Sequence, residues 1–206
     1  MILVKSAKAA VRVMGSVMDY VEKKLGLIVN QSKSKSGPLA ETTFLGFQIS
    51  PRGKVKWSAQ ALQRFKQRVR EFTKRNRGQK VKCVINELGR DVQGWMNYFG
   101  ISHRYATVLE LDEWIRRRVR LSHWKQGKRP RARQRNLIKL GIALSEVYRA
   151  SRSRKGYGRM SQKSLVRFAL KNAYLKEQGV PELRDTWIRL HYGDEPKSTG
   201  KSKLVT

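Results

Sequence analysis

Few side chains in this sequence could do chemistry, and their spacing decides against most of it. His103, His123 and His191 stand far apart, with no Cys or carboxylate at ligand spacing beside any of them. They read as surface or capping residues, and no metal set is expected. Asp112 and Glu113 are adjacent, but neighbours on a helix point about 100° apart. They lack the strand-and-turn setting that holds Mg²⁺ for phosphoryl transfer. Their expected role is structural, as favourable charge near a helix N-terminus. The single cysteine, Cys83, excludes a disulfide scaffold and is expected to pack as a small apolar residue on a helix. Lys155-Gly156-Tyr157-Gly158 lacks the spacing of a phosphate loop and reads as a basic loop that touches nucleic acid. No nucleophile has a base beside it.

What the sequence has in quantity is positive charge. Its 206 residues carry 46 Lys and Arg against 15 Asp and Glu, a formal charge of +31. Such a balance excludes an acidic enzyme surface and calls for a polyanionic partner. The charge is uneven: residues 1–50 hold seven Lys/Arg and three acids, while the stretch from Trp114 to Lys176 holds twenty Lys/Arg and one acid, Glu146. Trp114, Trp124, Tyr148, Tyr157, Phe168 and Tyr174 are interleaved there. Some must be core, and others are available to stack on exposed bases. The apolar fraction of 39% is enough for a core. No run of about 18 apolar residues exists, so no membrane span is expected.

The elements that must position this charge are mostly helical. Ser6 is expected to cap a helix over 7–25, with Val11, Met14, Val17, Met18, Val21 and Leu25 at helical spacing and Gly26 as its stop. Residues 2–5, 27–29, 44–49 and 54–57 read as short strands. A loop over 30–41 and a turn at Ser50-Pro51-Arg52-Gly53 separate the later ones. Ser58 caps a predicted helix over 59–77 with Leu62, Phe65, Val69 and Phe72 on one stripe. A second runs over 80–99 with Val81, Ile85, Leu88, Val92, Trp95 and Phe99 as its seam. A third, over 107–126, turns Leu111, Trp114, Ile115 and Val119 inward. Short connections favour an antiparallel bundle. Further on, helices are expected over 132–140, 143–150, 162–177 and 182–190. The third of these is capped by Ser161 and buries Leu165, Phe168, Ala169 and Tyr174. Residues 151–159 read as a basic loop and 194–206 as a disordered tail. The fold class is therefore mainly α, a helical bundle preceded by a small α/β piece.

Several segments read together. They are Phe44-Leu45-Gly46-Phe47, Gly94-Trp95-Met96-Asn97-Tyr98-Phe99, Trp114-Ile115-Arg116-Arg117-Arg118, Trp124-Lys125-Gln126, Ser153-Arg154-Lys155-Gly156-Tyr157 and Trp187. The combination resembles the C-terminal part of group II intron reverse transcriptase/maturases, and the Gly-Trp-x-Asn-Tyr-Phe block is its most specific piece. The resemblance implies a truncated polymerase palm remnant over 1–57 and the thumb, or maturase-specific domain, over 58–128. It implies a basic helical region over 129–193 like the part that assists DNA-target binding. Asn30 with Lys33 and Ser34 is similar to the family's late palm motif. In the family a Tyr-x-Asp-Asp turn carrying catalytic aspartates directly precedes the strand like Ile2-Leu3-Val4. Met1 falls just after that place, so neither the catalytic aspartates nor the Cys-rich endonuclease domain is expected here.

The resemblance thus implies a non-catalytic RNA-binding maturase fragment that stabilises folded intron RNA for splicing. The alternative is the C-terminal half of a split RNA-directed DNA polymerase, active only with fingers and palm in trans. A third reading, an unrelated basic scaffold such as a ribosome-associated protein, accounts for the charge but not for the Gly-Trp-x-Asn-Tyr-Phe block. The expected partners are group II intron RNA, then target DNA and a separate fingers/palm polypeptide, with no membrane. The setting is a bacterial-type cytoplasm. No cofactor is expected, since Mg²⁺ would belong to the intron RNA or to the missing palm, and no catalytic or metal-binding residue. The expected RNA contacts are Arg64, Arg68, Lys74, Arg75, Arg116, Arg117, Arg120, Lys125 and Arg129. Arg152, Arg154, Lys155 and Arg159 form a second set, for RNA or DNA.

Overall fold

The computed structural model describes residues 1–74 and 78–193. The expectations for Arg75 and for the tail 194–206 lie outside the described residues. Ten helices and one three-stranded sheet are described, so the chain is mainly α. It divides into two compact units, Met1–Leu62 and a larger one that starts at Gln63.

In the first unit, α1 (Ala7–Lys23) begins where Ser6 accepts a hydrogen bond from the Ala9 amide at 3.2 Å. None of its residues is buried. Of the four expected strands, only the last two regions pair. β1 (Thr43–Phe44), β2 (Phe47–Ile49) and β3 (Val55–Trp57) form an antiparallel sheet in the order β1-β2-β3. The expected single strand 44–49 is a hairpin. Leu45 and Gly46 both have positive φ, 49° and 83°, and make a two-residue turn whose twist suits the flanking strands. Phe44 therefore faces Phe47 across the turn. The β2–β3 turn stands as expected, with the Gly53 amide donating to Ser50 O at 2.9 Å.

Residues 2–5 and 27–29 are not strands. A strand exists only through its ladder, and neither segment has a partner edge. Ile2, Val4 and Ile28 are exposed, Ile28 at 97%. Phe47, by contrast, is buried opposite Trp57. Hydrogen–deuterium exchange checks this directly. The amides of Ile2–Val4 and of Ile28 are expected to exchange at near-unfolded rates, while that of Ser58, which donates to Gly46 O at 2.8 Å, is protected.

The next helix, α2 (Ala59–Phe72), starts within the last residues of the first unit and continues into the second; Ser58 caps it, accepting from the Ala61 amide at 3.1 Å. It ends five residues before its expected stop. The Thr73 hydroxyl donates back to Val69 O at 2.8 Å and accepts from Arg118 Nε at 2.9 Å, a side-chain competition that closes the helix. α3 (Val81–Phe99) buries Val81, Val84, Ile85, Leu88, Val92 and Met96. Its seam is rotated from the expected one. Met96 takes the inner place, and Trp95 is half-buried between Phe65 and Phe99, with ring centroids 4.2 and 4.8 Å away. Cys83 is on the outer face and exposed, not packed as expected.

α4 (Tyr105–Gln126) is the central element. It buries Val108, Leu111, Ile115 and Val119, but also Leu121, Trp124, Asp112 and Arg120, so its inward arc is wide. Trp114, expected inside, is half-exposed beneath Lys66 and Arg70. α2 and α3 run antiparallel, since Arg68 meets Asp91 at 3.0 Å where Phe65 meets Trp95. α3 and α4 do likewise, since the Gln126 amide reaches back to Gln79 O at 3.1 Å.

The chain after α4 folds onto it. α5 (Pro130–Lys139) and α6 (Leu144–Ser151) pair with each other, α7 (Tyr157–Met160) sits on α4, and α8 (Ser164–Ala169) and α9 (Asn172–Glu177) follow. The expected basic loop 151–159 thus ends in a helical turn. The expected single helix 162–177 is two, and Ser161 does not cap it. Arg120 of α4 is the reason: its Nε donates to Leu170 O at 3.0 Å and its Nη2 to Asn172 Oδ1 at 2.6 Å. Leu170 leaves helical geometry to receive it, at φ −108° and ψ 57°. Phe168, expected in the core, is 72% exposed.

α10 (Leu183–Tyr192) packs on α3 and α4. Trp187 donates from Nε1 to Ser102 O at 2.7 Å and lies 4.8 Å from the Tyr105 ring. The close approach needs Gly100, where a Cβ would collide with Leu190 and with Met96 O. Residues 129–193 therefore share one core with the helices before them.

Candidate nucleic-acid interface

Most of the arginines expected to touch RNA are exposed, but not all are at liberty. Arg64, Lys74, Arg117 and Arg129 lie on the surface. Arg68 is exposed and paired with Asp91. Arg116 is paired with the buried Asp112 one turn away. Arg120 is inside the protein, 7% exposed, and its guanidinium joins α4 to the α8–α9 junction. Here the sequence pattern misleads, because a buried arginine and a surface one look alike in a run of basic residues. Asp112 is structural, as expected, but serves a different helix. Its Oδ1 accepts the Leu183 amide at 3.1 Å, so a carboxylate from α4 caps the N-terminus of α10.

Of the second set, Arg152, Arg154, Lys155 and Arg159 are all exposed. Arg152 lies over the Tyr148 ring, 4.2 Å from its centroid. His103 and His191, distant in sequence, have ring centroids 6.1 Å apart, and His191 stacks on Trp187. Among the described residues no three of His, Cys, Asp and Glu gather closely enough to hold a metal ion.

The structure also brings together lysines that spacing alone does not connect. An open groove of about 630 Å³ runs between the end of α2, the start of α3 and the last turns of α4. Lys74 and Lys125, both expected contacts, line it together with Lys80 and Lys128. Among the described residues no carboxylate lines it, and Glu87 accepts from the lining Gln79 side chain at 3.2 Å. Phe72, Val81 and Val84 form its apolar part. Lys80 and Lys128 escape a reading by helical stripes because both sit in connections: Lys80 immediately precedes α3, and Lys128 lies between α4 and α5. Their signal was available in the adjacency of each to a helix end.

The surrounding charge is crowded. Burial, then Arg70 and Arg117, push the Arg118 guanidinium below its ordinary pKa. Burial, then Arg167 and Arg116, do the same for Arg120. Like charges held this close favour a polyanion that relieves them. The arrangement suits contact with a phosphate backbone, in which lysines act as mobile point charges over a rigid apolar floor.

The geometry defines a mainly helical, strongly basic domain whose cationic groove is walled by three helices. Residues 62–141 match the family model described as the group II intron, maturase-specific domain. Over those residues the chain is similar to a group II intron maturase-specific domain, which supports a C-terminal fragment of a reverse transcriptase/maturase. The match holds most of α2, all of α3, α4 and α5, and the whole lysine groove. No curated protein matches the chain. Among the described residues, no helix is long and apolar enough to cross a membrane.

If the groove holds phosphates, each lysine removed should reduce the slope of log affinity against log salt by about 0.7–0.9. Lys80→Ala and Lys128→Ala are expected to do so for any RNA, and a filter-binding salt series measures it. A slope unchanged in the double variant would place the phosphates elsewhere.

Proposed function

We propose that this chain binds folded group II intron RNA and stabilises its splicing-competent shape without itself polymerising DNA. The observation that carries this reading is the groove lined by Lys74, Lys80, Lys125 and Lys128, contained within the segment that matches the maturase-specific domain. A maturase need not make or break bonds. It needs a higher affinity for one RNA shape than for the others, and the population follows that difference. The chemistry then rests with the RNA and its Mg²⁺. Target DNA is a second partner on this reading, through Arg152, Arg154, Lys155 and Arg159.

The test is binding to a folded group II intron RNA against a length-matched unrelated RNA over a salt series. Both bind at low salt through charge alone. A ratio well above ten at about 150 mM salt supports maturase action. A ratio near one leaves only electrostatic binding and removes the proposal.

One observation favours a second reading, the C-terminal half of a split polymerase. α1 buries no residue, and Met1–Val4, Val17 and Phe44 border an open cavity of about 540 Å³ in the first unit. An apolar surface of this kind suits a partner polypeptide. On that reading, primer extension appears only when a fingers/palm polypeptide is added in trans, and the chain alone extends no primed template.

A further inference from the structure

The last turns of α4 have two uses. Ser122, Lys125 and Gln126 line the lysine groove, whereas His123, Trp124 and Gly127 line a separate cavity of about 260 Å³. It is bounded by α5 and the α8–α9 segment. Its size falls just below the ~300–1,000 Å³ of pockets that take drug-sized ligands. One ring system with a substituent fits it, and an extended cofactor does not.

The lining describes the occupant. Tyr174 supplies an aromatic ring, the buried Trp124 backs the wall beneath Arg133, and Val166 and Leu170 form an aliphatic floor. The two charged residues, Arg133 and Lys139, are both cations, and Asn136 adds an amide. Arg133 is fixed in advance. Its Nε donates to Gly127 O at 2.6 Å and its Nη1 to Ser151 O at 3.3 Å, and its guanidinium lies over the Trp124 ring at 5.3 Å. His123 Nε2 is buried and has no hydrogen-bond partner. Such an orphan costs about 1–3 kcal/mol and in native proteins usually has a reason. Burial pushes the His123 pKa down to about 4, so at neutral pH the ring offers one donor and one acceptor. Nε2 can therefore meet one donor or acceptor on the edge of a nucleobase.

We propose that this cavity receives one unpaired nucleotide, its base against Tyr174, its edge on His123 and its phosphate by Lys139 and Arg133. The assignment deepens the RNA-binding reading and rests on it for the source of the nucleotide. The same chemistry would take a free mononucleotide, and the experiment separates the two.

The full chain is titrated with a short RNA hairpin bearing a single-nucleotide bulge, with the same hairpin lacking the bulge, and with the four nucleoside 5′-monophosphates. The parent should prefer the bulged hairpin by about tenfold, the scale of one base stacked on an aromatic side chain. In His123→Phe the preference should collapse to near one. That variant removes an unsatisfied polar atom, so it should melt at or above the parent, and misfolding will not imitate the result. Lys139 is exposed, and Lys139→Ala should weaken the bulged hairpin more than the perfect one. Saturable monophosphate binding that His123→Phe abolishes, without any hairpin preference, would keep the site and assign it to free nucleotide.

Equal hairpin affinities with no monophosphate binding overturn the proposal, as does a preference that survives His123→Phe. If the cavity fails while intron selectivity stands, the maturase reading is untouched. If bulge preference stands while intron selectivity is absent, the maturase reading falls and the nucleotide site remains.

Discussion

Asp112→Ala lowers the stability of the helical unit by about 3–5 kcal/mol, the cost of breaking a buried ion pair by removing one partner. Three losses coincide. Arg116 loses its carboxylate, and its Nε is already buried without a hydrogen-bond partner. The Leu183 amide loses its acceptor in a place where Leu183 is fully buried. α10 loses the negative charge at its N-terminus. Asp112→Asn keeps an acceptor and drops only the charge, so it should fall between parent and alanine. Urea denaturation of the three chains measures the order. A cost below about 1 kcal/mol for alanine, the range of an exposed pair, would show that Asp112 is not holding α10.

The second large effect is on pH. His123 has its folded pKa pushed from 6.5 to about 4 by burial. Below pH 6.5 the unfolded chain takes up a proton that the folded chain refuses. The stabilisation is therefore complete above pH 6.5 and is lost as the pH falls toward 4. Between pH 7.5 and 4.5 the parent should lose about 2–3 kcal/mol more than His123→Phe, from the size of the shift. The charged groups that share the cavity are Arg133 and Lys139 on α5, and Tyr174 is the other titratable group there. Carboxylates that titrate in the same range do so in both chains and cancel in the difference. Parallel melting curves for the two chains across this range would show that the ring is protonated in the folded state.

The helices were legible because their signals are local. Ser6 and Ser58 stand where a cap must stand, and the apolar residues of α2, α3 and α4 recur every three or four positions. What was not legible depends on distant partners. Residues 2–5 and 27–29 have strand composition, but composition cannot supply a neighbouring edge. The helix expected over 162–177 breaks because Arg120, 50 residues earlier, takes the Leu170 carbonyl. No feature of Leu170 announces this. Asp112 and Arg120 look like surface charges until the fold buries them. The groove was half legible: Lys74 and Lys125 lie on or beside helices whose basic faces were chosen, whereas Lys80 and Lys128 sit in the connections. His123 was dismissed as an ordinary histidine because its interest comes from α5 and the α8–α9 segment closing over it.

The handshake between Asp112 and Leu183 spans 71 residues of chain, and this sets an order of events during synthesis. At about 5–20 residues per second, α4 leaves the ribosome roughly 4–14 s before the helix it caps exists. Through that interval Asp112 is a hydrated carboxylate, Ser102 O has no indole to accept from, and the apolar side of α4 that α10 will cover remains open. The central helix is made early and finished late, so the nascent chain passes through a state in which its most basic stretch has emerged while its core is still incomplete.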